Sequence, residues 1–151
     1  MHRSMITAPL LLVSVLALGA CEQKHDTVDI PTARAKSALA LSAFECSHLA
    51  ATKSDASRLF SVAVLNGREF LDFAEHNSSG FKSIETQIDP IWSAVADRPS
   101  PDFKLGEINA ATIGRVFSYR GRWNDSEWPS RRDAMFAERN CAFLGQDKKK
   151  D

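Results

Sequence analysis

The run TARAKSALALSAFECSHLAATKSDASRLFSVAVLNGREFLDFAE (residues 32–75) carries apolar side chains at helical intervals twice over. In its first half Leu39, Ala43, Cys46 and Ala50 recur at spacings of 4, 3 and 4, which puts them on one face of an α-helix. Thr32 supplies a cap, so a helix is predicted from about Ala33 to Ala51. In the second half Leu59, Val62, Ala63, Asn66, Phe70 and Phe73 make another stripe, capped by Ser54 or Asp55 and ending near Glu75. Gly67 sits inside that helix at a cost of about 1 kcal/mol relative to alanine, and a close helix crossing there would explain it.

C-terminal to this pair, His76-Asn77-Ser78-Ser79-Gly80 reads as a turn. A shorter helix is predicted over roughly Phe81 to Asp89, interrupted by Pro90, with another turn or two over Ile91 to Ala96. Ser100-Pro101-Asp102 is a helix start: a capping serine, proline at the first helical position and an acid in the first turn. That helix runs to about Tyr119, with Leu105, Ile108, Thr112, Val116 and Tyr119 on one face. A strand is the alternative over Ala111 to Trp123, because glycines weaken the helical pattern. Ser130 with Asp133 resembles a capping box, opening a last helix from Arg131 to Leu144 that closes on Gly145. The expected fold is all-α, an irregular bundle of four to five helices over residues 33–145, with a charged tail at 146–151.

The N-terminus concerns the compartment. A basic start, Met1-His2-Arg3, precedes an apolar stretch from Ile6 to Leu18, the layout of a secretory leader. A membrane-spanning helix needs about 20 apolar residues, and this run is shorter, contains Pro9 and meets charge at Glu22. The leader closes on Leu18-Gly19-Ala20-Cys21, which resembles the lipobox of bacterial lipoproteins. The resemblance implies removal of residues 1–20, a diacylglycerol on the Cys21 sulfur and a periplasm-facing domain on a tether, residues 21–32. An ordinary secretory signal that happens to contain a cysteine is the competing reading. Glu22 in place of aspartate implies, by the same resemblance, the outer membrane over the inner. Several acyl chains on one cysteine would anchor the protein stably, where a single chain binds only marginally.

With Cys21 lipidated, Cys46 and Cys141 remain, and the periplasm is oxidising. A Cys46–Cys141 disulfide is therefore expected; closing a loop near 100 residues contributes up to about 4.7 kcal/mol in the chain-entropy model. Two buried free thiols are the alternative. Neither cysteine has a ligand-spaced cysteine or histidine beside it, so no metal site and no cofactor is expected. The 19 basic and 19 acidic residues balance, which argues against a general nucleic-acid or membrane-surface binder. Nine phenylalanines and three tryptophans suffice for a compact core.

No motif of known catalytic chemistry survives inspection. Ser79-Gly80-Phe81-Lys82 spells S-x-x-K, but the S-D-N and K-T-G elements that accompany it in penicillin-binding proteins are absent, and the chain is too small for that fold. The histidines His25, His48 and His76 stand in no ligand or triad pattern. Glu45, Glu69, Asp72, Glu75 and Glu85 are candidates for paired carboxylates only because they are acids; a solvated helix face accounts for them equally.

The segment from Arg115 to Arg132 stands out. It carries Arg115, Arg120, Arg122, Arg131 and Arg132 against Asp125 and Glu127, interleaved with Tyr119, Trp123 and Trp128. Tryptophan, tyrosine and arginine are the types enriched at binding hot spots. The competing reading folds the tryptophans back over the end of the bundle. The sequence therefore points to a non-enzymatic, membrane-tethered binding protein whose partner is an envelope protein, an incoming toxin or hydrolase, or peptidoglycan, and not nucleic acid. The alternative is a small cell-wall hydrolase or accessory factor, which requires a concave pocket with two carboxylates of separated pKa.

Overall fold

Asp29 opens the first helix: its carboxylate accepts a 2.7 Å hydrogen bond from the Thr32 amide. Helix α1 then runs Ile30–Leu49, with Pro31 in its first turn where a missing N–H costs nothing. The expected cap, Thr32, thus lies inside the helix. The computed structural model describes residues 28–146. The leader, Cys21, most of the tether and the tail from residue 147 lie outside the described residues.

Helix α2 spans Lys53–His76. Its cap is Thr52 rather than Ser54 or Asp55: the threonine hydroxyl accepts from the Asp55 amide at 3.0 Å and donates to the Asp55 carboxylate at 2.8 Å. Asn77 serves two helices at once. Its amide closes α2 on the Phe73 carbonyl, and its side chain accepts from the Gly80 amide to start α3, Ser78–Ile84. The predicted turn over 76–80 is therefore a one-residue corner, and α3 begins three residues before Phe81. A 3-10 turn, Glu85–Gln87, and the short α4, Ile91–Ala94, follow on either side of Pro90.

Helix α5, Pro101–Arg120, starts as its sequence dictates, with the Ser100 hydroxyl accepting from the Phe103 amide. It is helical throughout, which overturns the strand alternative for 111–123. Gly106 and Gly114 lie on its solvent face, where a Cβ would meet nothing within 4 Å, so they weaken helix propensity without breaking the helix. Helix α6, Trp128–Glu138, begins before Ser130. The expected Ser130–Asp133 box is not used; Asn124 instead accepts from the Ser126 and Glu127 amides at 3.1 and 2.9 Å. The expected single helix to Leu144 is broken at Asn140, whose φ of 53° is left-handed, and resumes as a 3-10 turn, Cys141–Phe143. Gly145 closes that segment with φ 70°.

The core is built around α1, which packs chiefly on α2 and then on α5. It buries Ala33, Ser37, Ala40, Leu41, Ala43, Phe44, Cys46, Ser47 and Leu49, positions that go far around its circumference. Phe70 packs edge-on to Trp92 at 4.6 Å between ring centroids, so the short α4 delivers the largest buried side chain. Gly67 explains itself here. A Cβ at that position would stand 2.5 Å from Leu105 Cδ2, with Trp92 and Ala40 just behind. The absent side chain lets α2 pass close to α1 and α5, the crossing expected from the sequence. A satellite cluster of Cys46, Leu59 and Cys141, with Ala50, Phe136 and Leu144 against it, holds the C-terminal end. Cys46 and Cys141 form a disulfide with their Cα atoms 5.5 Å apart. The architecture is an all-α bundle clamped between α1 and the C-terminal turn. Among the described residues no helix is long and apolar enough to cross a membrane.

Candidate functional site

The end of α5 and the start of α6 bring most of the arginine–aromatic segment together. Trp128 opens α6 and stacks on Phe117 of α5, ring centroids 6.2 Å apart. The Arg120 guanidinium sits over both rings, 5.7 Å from Phe117 and 6.0 Å from Trp128. Arg122 lies 5.9 Å over Tyr119, and Arg131 lies 4.3 Å over Trp123. Tyr119, Trp123, Arg131, Met135 and Arg139 line a cleft of about 310 Å³ beside these pairs. The face expected for Tyr119 is corrected: α5 outruns the bundle there, and the ring is 41% exposed instead of joining Leu105 and Val116 in the core. Trp123 and Trp128 are half-buried, so they pack on the bundle end and still present a face. Phe117, which sequence reasoning passed over, belongs to the same cluster; its place just before Tyr119 in the segment was the available signal.

Stacking of this kind has a chemical consequence. A guanidinium over a ring face presents its edge N–H groups to planar acceptors, and carboxylates and phosphates fit that fork, as the Asp125 carboxylate 3.5 Å from Arg120 shows. The ring also fixes the long side chain in advance, so less rotamer freedom is given up on binding.

Three of the expected contact arginines have acidic partners, and Arg120 pairs with Asp125 at 3.5 Å. Arg115 turns back to the bundle and grips Asp89 with two 2.7 Å hydrogen bonds, while Glu45 lies 3.7 Å away. Arg132 pairs with its neighbour Asp133 at 2.8 Å. Glu45 also pairs with Arg139, so one acid on α1 ties α5 to the end of α6. The guanidinium of Arg115 holds the Asp89 carboxyl below the usual carboxylate range, and Asp89 in turn raises Arg115.

The candidate acids distribute as follows. Glu45 and Asp89 line a groove of about 300 Å³ with Arg34, Ser37, Leu41 and Arg115. The arginine between the two carboxylates keeps Asp89 ionised, which suits an ion pair and not a proton donor. Glu69 pairs with Lys36. Asp72 accepts from His76, whose pKa is raised by the Asp72 backbone carbonyl and then by the Asp72 charge. Glu75 and Glu85 are exposed. His48 hydrogen-bonds Asn109 of α5 at 3.0 Å, and burial pushes its pKa down. His25 lies outside the described residues. Ser79 of the S-x-x-K run hydrogen-bonds the capping Asn77, and Lys82 is exposed. Among the described residues no group of three or more His, Cys, Asp or Glu side chains is placed to hold a metal ion.

No family model matches the chain, and neither the curated proteins nor the solved structures contain a significant match to it.

Proposed function

We propose that this protein is a lipid-tethered binding protein of the bacterial cell envelope, held at the periplasmic face, with the outer membrane favoured. It meets a carboxylate-bearing partner, an envelope protein or peptidoglycan, through the end formed by α5 and α6. The observation that carries the reading is the set of three arginines, Arg120, Arg122 and Arg131, each stacked on an aromatic ring at the exposed end of the bundle. Such rings and guanidiniums are the commonest hot-spot chemistry at interfaces. The lipobox-like Leu18-Gly19-Ala20-Cys21 supports the tether, and the Cys46–Cys141 pair fits an oxidising compartment.

The test is affinity capture from detergent-solubilised envelope, with the oxidised protein as bait and Trp123→Ala/Trp128→Ala as control. A partner retained by the native bait and lost by the control is expected. Hot-spot truncation typically costs about 2 kcal/mol or more, roughly a thirtyfold loss of affinity. The same partners on both baits, or none on either, would overturn this surface. Incorporation of labelled fatty acid, abolished by Cys21→Ser, tests the tether separately.

A further inference from the structure

The C-terminal half of α2, away from the Cys46–Cys141 clamp, borders a cavity that the arginine–aromatic site does not use. Its volume is about 380 Å³, and α2, α3, α4 and the start of α5 wall it. Phe70, Phe81 and Trp92 form its apolar side, with Phe70 6.1 Å from Phe81 and 4.6 Å from Trp92 between ring centroids. Ala74 and Ala96 line the same space with small side chains. Trp92 is 1% exposed, yet its indole N–H has no hydrogen-bond partner, and the Ser93 hydroxyl next to it on α4 is buried without one. Buried donors are nearly always met, so these two point to an acceptor that arrives with a ligand. At the rim, Arg98 is taken up by Glu107 at 2.7 Å. Lys104 forms no ion pair among the described residues, and Glu75 adds an exposed carboxylate.

We infer that this cavity takes one acyl chain of a zwitterionic phospholipid from the bilayer that holds the protein; the inference rests on the lipid tether proposed above. The chemistry and the place agree. An acyl chain suits a wall of aromatic and small aliphatic side chains. Its ester brings acceptor oxygens and no donors, which is what the Trp92 N–H and the Ser93 hydroxyl lack. A head group with a phosphate and an ammonium meets Lys104 and Glu75 together, whereas a purely anionic head would set a like charge against Glu75. The place follows from the α1–α2 hairpin. A link of three residues, 50–52, joins the two helices, and Lys36 near the start of α1 pairs with Glu69 near the end of α2. The start of α1, where Val28 packs on the core, therefore stands at the same end of the bundle as Phe70 and Ala74. Seven residues separate Cys21 from Val28, and a chain of that length spans at most about 25 Å. A lipid on Cys21 thus keeps the cavity end, and not the clamped end, close to the bilayer.

The test places the full-length protein in vesicles of phosphatidylethanolamine whose acyl chain carries a photoreactive diazirine. Irradiation followed by peptide mapping locates the adduct, which is expected on the peptides holding Ala74, Phe81 and Trp92. Ala74→Leu/Ala96→Leu fills the cavity and should lower labelling there tenfold or more, while its thermal melt, followed by circular dichroism, reports the fold. Lys104→Gln and Glu75→Gln, which leave the core untouched, should each lower it about two- to fivefold, the range of an exposed charge pair. Phosphatidylglycerol with the same photoreactive chain should label the cavity less, because its head group has no ammonium. Intact mass reads the acyl groups on Cys21 in the same sample, so a missing tether is seen apart from an empty cavity. Adducts that avoid the cavity peptides, or that persist unchanged in the filled variant and in both rim variants, overturn the inference. Equal labelling by the two phospholipids overturns the choice of head group.

Discussion

Asp89 and Arg115 show how one tertiary partner redirects a residue. Two hydrogen bonds of 2.7 Å hold the pair, and they depress the Asp89 carboxyl in the folded protein. A depressed carboxyl stabilises the fold above its unfolded value, near 3.9, and that contribution is lost as pH falls through the folded value. Arg115→Ala should therefore be less stable than the native chain at pH 7, and the gap should narrow at about pH 3. Urea unfolding at both values measures it, and an equal gap at both would show that the pair adds nothing pH-dependent. Gly67 carries a steric prediction. Leu105, Trp92 and Ala40 surround the space a side chain would need, so Gly67→Leu should destabilise by about 1–3 kcal/mol, read as a lower melting temperature. A melting temperature at or above the native one would mean that the crossing is looser than described.

At the scale of elements, α6 is the weakly held part. It buries no residue fully. The segment is secured by the Cys46–Cys141 bond, by Arg58 donating to the carbonyls of Leu144 and Ala142 at 2.6 and 3.3 Å, and by the Arg139–Glu45 pair. Cys141→Ser should cost about 2–4 kcal/mol overall. Hydrogen exchange should rise first in α6 and the 3-10 turn, while α1, α2 and α5 keep most of their protection. Uniform loss of protection would show that the clamp serves the whole bundle equally.

The same contrast explains what could be read in advance. Helix α2 was legible because it buries one side: Leu59, Ala63, Phe70 and Phe73 are covered, and Phe60 and Leu65 are open. Helix α1 was legible as a helix, but its buried face was not. Neighbours cover it on several sides, so Leu39 and Ala50, members of its apolar stripe, are only half-buried, while Phe44 and Leu49 are fully covered. The break at Asn140 has no strong local signal, because asparagine enters the left-handed region only where the surroundings favour it. In the site, adjacency in sequence kept Tyr119, Arg120, Arg122, Trp123, Trp128 and Arg131 together. It could not show that Arg115 belongs to Asp89, which lies 26 residues earlier.

For the molecule as a whole, charge balance and exposed chemistry separate cleanly. Acids and bases are equal in number, so no global field steers a partner. In the function proposed above, recognition falls to the local end where arginines lie over rings. Because those arginines are exposed, binding there should weaken as salt rises from low to physiological ionic strength, where the screening length shortens to about 8 Å. Binding that is indifferent to salt would shift the weight to the aromatic faces alone. The most direct measurement places a photoreactive side chain at Arg122 in living cells, with Lys53, at the start of α2, as the control position. The account predicts a cross-linked adduct to a second envelope component from position 122 and none from position 53. Equal adducts from both positions, or an adduct from position 53 alone, would contradict it.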